Sequence, residues 1–76
     1  PPLRERKDDI PLLINYFTEL ICKEQSINIK TIEKEAINLL QEKEWSGNIR
    51  ELRNVIERLI ILSSDKITKK DVDLYF

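Results

Sequence analysis

The 76-residue sequence contains no histidine, one cysteine and one glycine. Without histidine, and with Cys22 alone, it holds no zinc-ligand set, no Ser/His/Asp or Cys/His nucleophile and no disulfide within the chain. Cys22 reads as a reduced core thiol. A single glycine excludes both the GxxxxGK[ST] phosphate loop and the GxGxxG dinucleotide fingerprint, each of which needs at least two. The chain by itself is therefore not expected to cradle a triphosphate. An excess of positive charge is missing too: 13 basic residues face 14 acidic ones, a net charge of −1. Binding to a phosphate backbone usually draws on a basic surplus, so no direct DNA contact is expected. No apolar run approaches the ~18 residues of a membrane span, and the opening residues form no signal-peptide core. With the low cysteine use, this points to a reducing cytoplasm.

What the sequence does contain is 41% hydrophobic and 36% charged residues, too apolar for a disordered tail. The length is half of a typical ~150-residue domain, so one small globular domain or a piece of a larger one is expected. The opening Pro1, Pro2, Leu3 and Arg4 look like a cut made inside a longer protein.

Three prolines and one glycine leave few interruptions, and helices should dominate. Asp8 or Asp9 can cap a first helix that carries Pro11 in its first turn, where the amides lack intrahelical partners anyway. Ile10, Leu13, Ile14, Phe17, Leu20 and Ile21 share one face, and the helix should end near Glu24 or Gln25. Residues 26–30 read as a connector. A second, shorter helix begins at Thr31 or Glu33, with Ile32, Ala36, Leu39 and Leu40 inside and Lys43 near its end. Trp45, Ser46 and Gly47 break the pattern, Gly47 as a residue able to take positive φ, and Asn48 suits the next cap. The third helix presents Ile49, Leu52, Val55, Ile56, Leu59, Ile60 and Leu62 on one side, with Arg50, Arg53, Asn54, Glu57 and Arg58 on the other. Residues 63–66 close it. Thr68 fits the cap of a final helix, because Asp71 stands three residues on and Ile67 can staple against Val72. Val72, Tyr75 and Phe76 should dock on the rest. The expected fold is all-α: a small four-helix bundle around one core.

Positions 45–52 read WSGNIREL. A bulky anchor, a turn glycine and an Asn cap fix where the third helix starts, and Arg50 falls in its first turn on the side away from Leu52. The helix dipole disfavours a cation there. Two readings stay open from the residues alone: a guanidinium kept for an external anion, or one member of a solvated charged face with Glu51 offsetting the repulsion.

WSGNIREL is similar to the W-P-G-N-[VI]-R-E-L signature of the AAA+ enhancer-binding activators of sigma-54 RNA polymerase, the family of nitrogen-regulation response regulators. PPLRERKDDI at 1–10 resembles that family's P-P-L-R-E-R-x-E-D-I, and RNVIERL at 53–59 echoes its N-x-[IV]-E-R continuation. The resemblance implies a C-terminal helical lid subdomain at 8–76, with 1–7 as the linker from an absent AAA+ α/β subdomain. It places Arg50 on the family's sensor II arginine, which reaches the γ-phosphate of ATP bound to the α/β subdomain of the same chain. It places Leu3 and Arg4 beside the nucleotide base, where an ordinary interdomain connector is the competing reading. ATP and Mg2+ would belong to the parent ATPase, a ring oligomer in which neighbouring subunits and sigma-54 RNA polymerase are the partners. The fragment itself would bind no cofactor tightly, hold no metal and catalyse nothing. Ser46 departs from the family's Pro, Lys43 from its common Tyr and Asp8 from its Glu. The alternative is a small helical DNA-binding or protein-interaction module with the third helix as reader.

Overall fold

The computed structural model describes residues 7–43 and 49–75. A 3-10 turn, Lys7–Asp9, leads into α1 (Ile10–Glu24). Asp9 holds the cap position, but its backbone is already helical (φ −85°, ψ −13°) and its side chain makes no cap hydrogen bond. A capping side chain turns back on the helix from an extended backbone, and the preceding 3-10 turn removes that geometry. Ile10, Ile14, Ile21 and Cys22 are fully buried, and Leu13 and Leu20 flank them. The helix thus buries the face its spacing predicts. Thr18 shares this face; its Oγ1 donates to the Ile14 carbonyl at 2.7 Å, which satisfies the hydroxyl within the helix.

α1 ends in a Schellman arrangement. The Ile27 amide donates to the Cys22 carbonyl and the Ser26 amide to the Lys23 carbonyl, both at 3.1 Å, with Ser26 left-handed at φ 57°. Glycine is the usual residue in this place, so the serine carries a steric cost.

Two short strands depart from the all-helical expectation. Thr31–Ile32 (β1) pairs in parallel with Lys66–Ile67 (β2), Thr31 opposite Lys66 and Ile32 opposite Ile67. The Glu33 amide extends the ladder to the Ile67 carbonyl at 2.9 Å. Thr31 therefore does not begin the second helix, Ile32 belongs to a strand, and Lys66 has left the third helix. β-branched Thr31, Ile32 and Ile67 suit this geometry, but only the bundle brings segments so distant in sequence together.

α2 (Lys34–Glu42) starts after Glu33, the second of the two expected starts, and ends at Lys43. Ala36 and Leu40 are its buried residues. α3 (Ile49–Leu62) buries Leu52, Ile56, Leu59 and Ile60, whereas Ile49 and Leu62 are 37% and 45% exposed. The buried stripe is therefore shorter than the apolar stripe. α4 (Lys69–Tyr75) docks through Val72, fully buried beside Ile67 in the core. The predicted cap is present: the Asp71 carboxylate accepts from the Thr68 amide at 2.9 Å, and the Asp71 amide donates to Thr68 Oγ1 at 3.2 Å.

The four helices share one core, as their faces require. None of the described helices is long and apolar enough to cross a membrane. The readings of Trp45, Ser46, Gly47 and Asn48 as anchor, turn and cap lie outside the described residues, as does the docking of Phe76.

Candidate functional site

The candidate site lies on the exposed side of α3. Helical spacing places Arg50, Asn54, Glu57 and Ile61 along one stripe, with Arg58 at its edge. Arg50, Asn54, Arg58 and Ile61 are exposed and Glu57 is half-buried. A shallow groove runs over the second half of this stripe between Asn54, Glu57, Arg58, Ile61 and Leu62. Arg50 stands in the first turn, opposite the buried Leu52 and Ile56, as its place in the repeat requires. Its planar fork of donors can reach outward to an anion without disturbing the core.

Arg53, one turn further on, is different. Its guanidinium is half-buried and bound to the Glu24 carboxylate at 2.7 Å, so it joins the last residue of α1 to the second turn of α3. Of the three arginines that sequence spacing groups on one face, Arg53 is the one that binds Glu24.

The far end of α3 is also held. Lys30 donates through Nζ to the Ile60 carbonyl, to the Ser63 carbonyl at 2.9 Å and to Ser63 Oγ at 3.4 Å. Carbonyls at a helix C-terminus lack intrahelical donors and carry the negative end of the dipole, so an ammonium there satisfies both needs. Sequence reading missed Lys30 and Glu24. Their partners are 29, 30 and 33 residues away, and no helical or strand spacing links them.

Glu33, just before α2, serves a comparable joint. Its carboxylate meets Lys66 Nζ at 3.5 Å and accepts from the Lys69 amide at 3.4 Å, placing negative charge at the start of α4. Among the described residues no group of three or more acids, cysteines or histidines gathers as a metal site. Leu3 and Arg4 lie outside the described residues, so no geometry connects them to Arg50.

Residues 4–76 match the family model described as the AAA+ ATPase lid domain. The chain belongs to the AAA+ ATPase lid domain family. Its relatives are transcription regulators. The lid domain is 46% identical over 67 residues to the formate hydrogenlyase transcriptional activator of Salmonella typhimurium, covering 88% of this chain and 10% of that protein. It is 42% identical over 72 residues to the DNA-binding transcriptional regulator NtrC of Azospirillum brasilense, covering 95% of this chain and 15% of that protein. The lid domain therefore spans only a tenth to a seventh of these relatives. Among solved structures, NtrX from Brucella abortus in complex with ADP superposes with a TM-score of 0.81 at 36% identity, over 93% of this chain and 17% of that one. The four-helix fold and the resemblance carried by WSGNIREL and PPLRERKDDI agree with this membership.

Proposed function

We propose that this lid domain completes the ATP site of a sigma-54-dependent transcriptional activator, with Arg50 as its sensor II residue and residues 8–76 as the lid that follows a linker at 1–7. The observation that carries the reading is a long cation held in the exposed first turn of α3, against the field of its own helix, in a domain of the AAA+ lid family. A triphosphate on an adjoining α/β subdomain would offer that exposed cation acceptors suited to its planar fork. The ADP complex of NtrX, a structural relative, supports a nucleotide as the ligand.

In this arrangement Arg50 donates to γ-phosphate oxygens, and loss of that phosphate removes its acceptor. ATP supplies the anion that is sensed and the phosphoanhydride that is cleaved. Mg2+ would accompany the triphosphate of the parent ATPase, held by phosphate oxygens and one or two carboxylates. Because α3 packs through Leu52, Ile56, Leu59 and Ile60 into the core that the four helices share, a pull on Arg50 would be passed to the lid. That movement couples nucleotide state to the contacts between neighbouring subunits of a ring, and through the ring to sigma-54 RNA polymerase. Leu3 and Arg4 would line the base. The isolated domain would hydrolyse nothing. A DNA-reading role for α3 fits less well, because Glu57 and the Glu24-bound Arg53 dilute the positive charge of its outer face.

The test uses the intact ATPase with Arg50→Ala, and Lys70→Ala, an exposed cation on α4 outside this stripe, as the control. Losing one charge-assisted hydrogen bond costs about 1.5 to 3 kcal/mol, a roughly tenfold to hundredfold loss in the step that bond serves. Arg50→Ala should weaken ATP more than ADP and slow hydrolysis, while the melting temperature stays near that of the parent. Equal behaviour of the two variants would return Arg50 to a solvated face.

A further inference from the structure

We infer that the connector from Glu24 to Lys30 is a strap that positions Arg50 through α3, with Glu24 and Lys30 as its two points of attachment; this rests on the sensor reading of Arg50. Glu24 binds Arg53 one turn beyond Arg50, and Lys30 binds the carbonyls of Ile60 and Ser63 at the opposite end. The two attachments come from one short segment, and its own course is set by the left-handed Ser26 and the paired amides of Ser26 and Ile27.

Among the described residues, apolar burial on α3 begins only at the end of the first turn. Burial on α3 starts at Leu52, and Ile49 beside Arg50 is 37% exposed. Apolar packing is also non-directional, so it resists separation of the helices better than a small rotation about the helix axis. A directional contact at Arg53 resists that rotation next to Arg50, and the Lys30 clamp resists sliding along the axis. A sensor must meet its phosphate within hydrogen-bond reach, and displacement of a positioning element by about 1 Å is enough to slow an enzyme strongly. The strap thus explains why an ion pair too exposed to contribute much stability links these two helices at this level.

The experiment is steady-state hydrolysis, ATP and ADP affinity and thermal melting of the intact ATPase. The variants are Glu24→Gln, Glu24→Arg with Arg53→Glu, Lys30→Ala and Lys30→Arg, each also combined with Arg50→Ala. Glu19→Gln, which removes the exposed pair with Lys23 on α1, is the control. Glu24→Gln should lower kcat about threefold to fivefold, the most an exposed ion pair can supply, with KM and Tm close to the parent. The reversed pair should restore kcat. Lys30→Ala should lower both kcat and Tm, and Lys30→Arg should recover most of each. On the Arg50→Ala background Glu24→Gln should have no further effect, since the strap acts through that residue. A silent Glu24→Gln beside an impaired Arg50→Ala overturns the strap and leaves the sensor standing. An additive Glu24→Gln, a reversed pair that stays impaired or an equal effect of Glu19→Gln also overturns it. A silent Arg50→Ala removes the sensor and the strap together.

Discussion

The junction between β2 and α4 and the junction between α1 and β1 solve the same problem by different means. At the first, Thr68 and Asp71 cap each other three residues apart, with Ile67 and Val72 buried beside them. At the second, the helix ends on a left-handed serine, and the segment is then held by Glu24 and Lys30 on a helix about thirty residues away. The first junction is self-contained and the second is tied to its surroundings. The lesson is that a local motif fixes a helix end, whereas a long-range tie fixes how two helices lie against each other.

The largest expected effect tests the apolar half of the first junction. Ile67→Ala empties a fully buried site and should cost about 2 to 5 kcal/mol, comparable to the ~3 to 5 kcal/mol that a core of this size supplies. Chemical denaturation of the isolated domain should find it largely unfolded; a midpoint near the parent's would mean that β2 does not anchor α4.

Lys30→Ala probes the second junction. It leaves two carbonyls at the end of α3 without their ammonium, and a loss of about 1.5 to 3 kcal/mol is expected from hydrogen bonds to a charged group. Urea titration measures it. If Lys30→Ala costs less than Thr68→Ala, the ranking of long-range over local ties is reversed. Thr68→Ala itself removes the side-chain cap and should cost about 1 kcal/mol, read most directly from faster amide exchange in α4.

Ser26→Gly should go the other way. Relieving a left-handed serine gains about 1 kcal/mol or slightly less, after the greater unfolded-state entropy of glycine is subtracted. A lower Tm for this variant would show that the serine contributes more than its backbone angles. The smallest effect belongs to Glu19→Gln, whose exposed i,i+4 pair with Lys23 is worth about 0.2 to 0.5 kcal/mol and should fade with added salt.

Much of this architecture was readable before any coordinates. The spacing of Ile10, Ile14, Phe17 and Ile21, and of Leu52, Ile56 and Leu59, follows the helical period, so the faces that bury themselves are written in the order of the residues. The Thr68 cap was readable for the same reason, since both partners lie within one turn. The exposed place of Arg50 followed from its phase relative to Leu52, while its proposed role came from the resemblance around WSGNIREL and not from spacing.

Folding in three dimensions decided the rest. Nothing in Thr31, Ile32, Lys66 and Ile67 announces a parallel pair, because two two-residue segments have no period of their own and α2 and α3 separate them along the chain. Nothing near Lys30 or Glu24 names Ile60, Ser63 or Arg53 as partners. The hydrophobic pattern along a chain selects helices and their inner faces, because burial depends on which side of a helix a residue occupies. Which polar groups meet across the finished bundle depends on the relative placement of helices, and that is settled only when the shared core has formed.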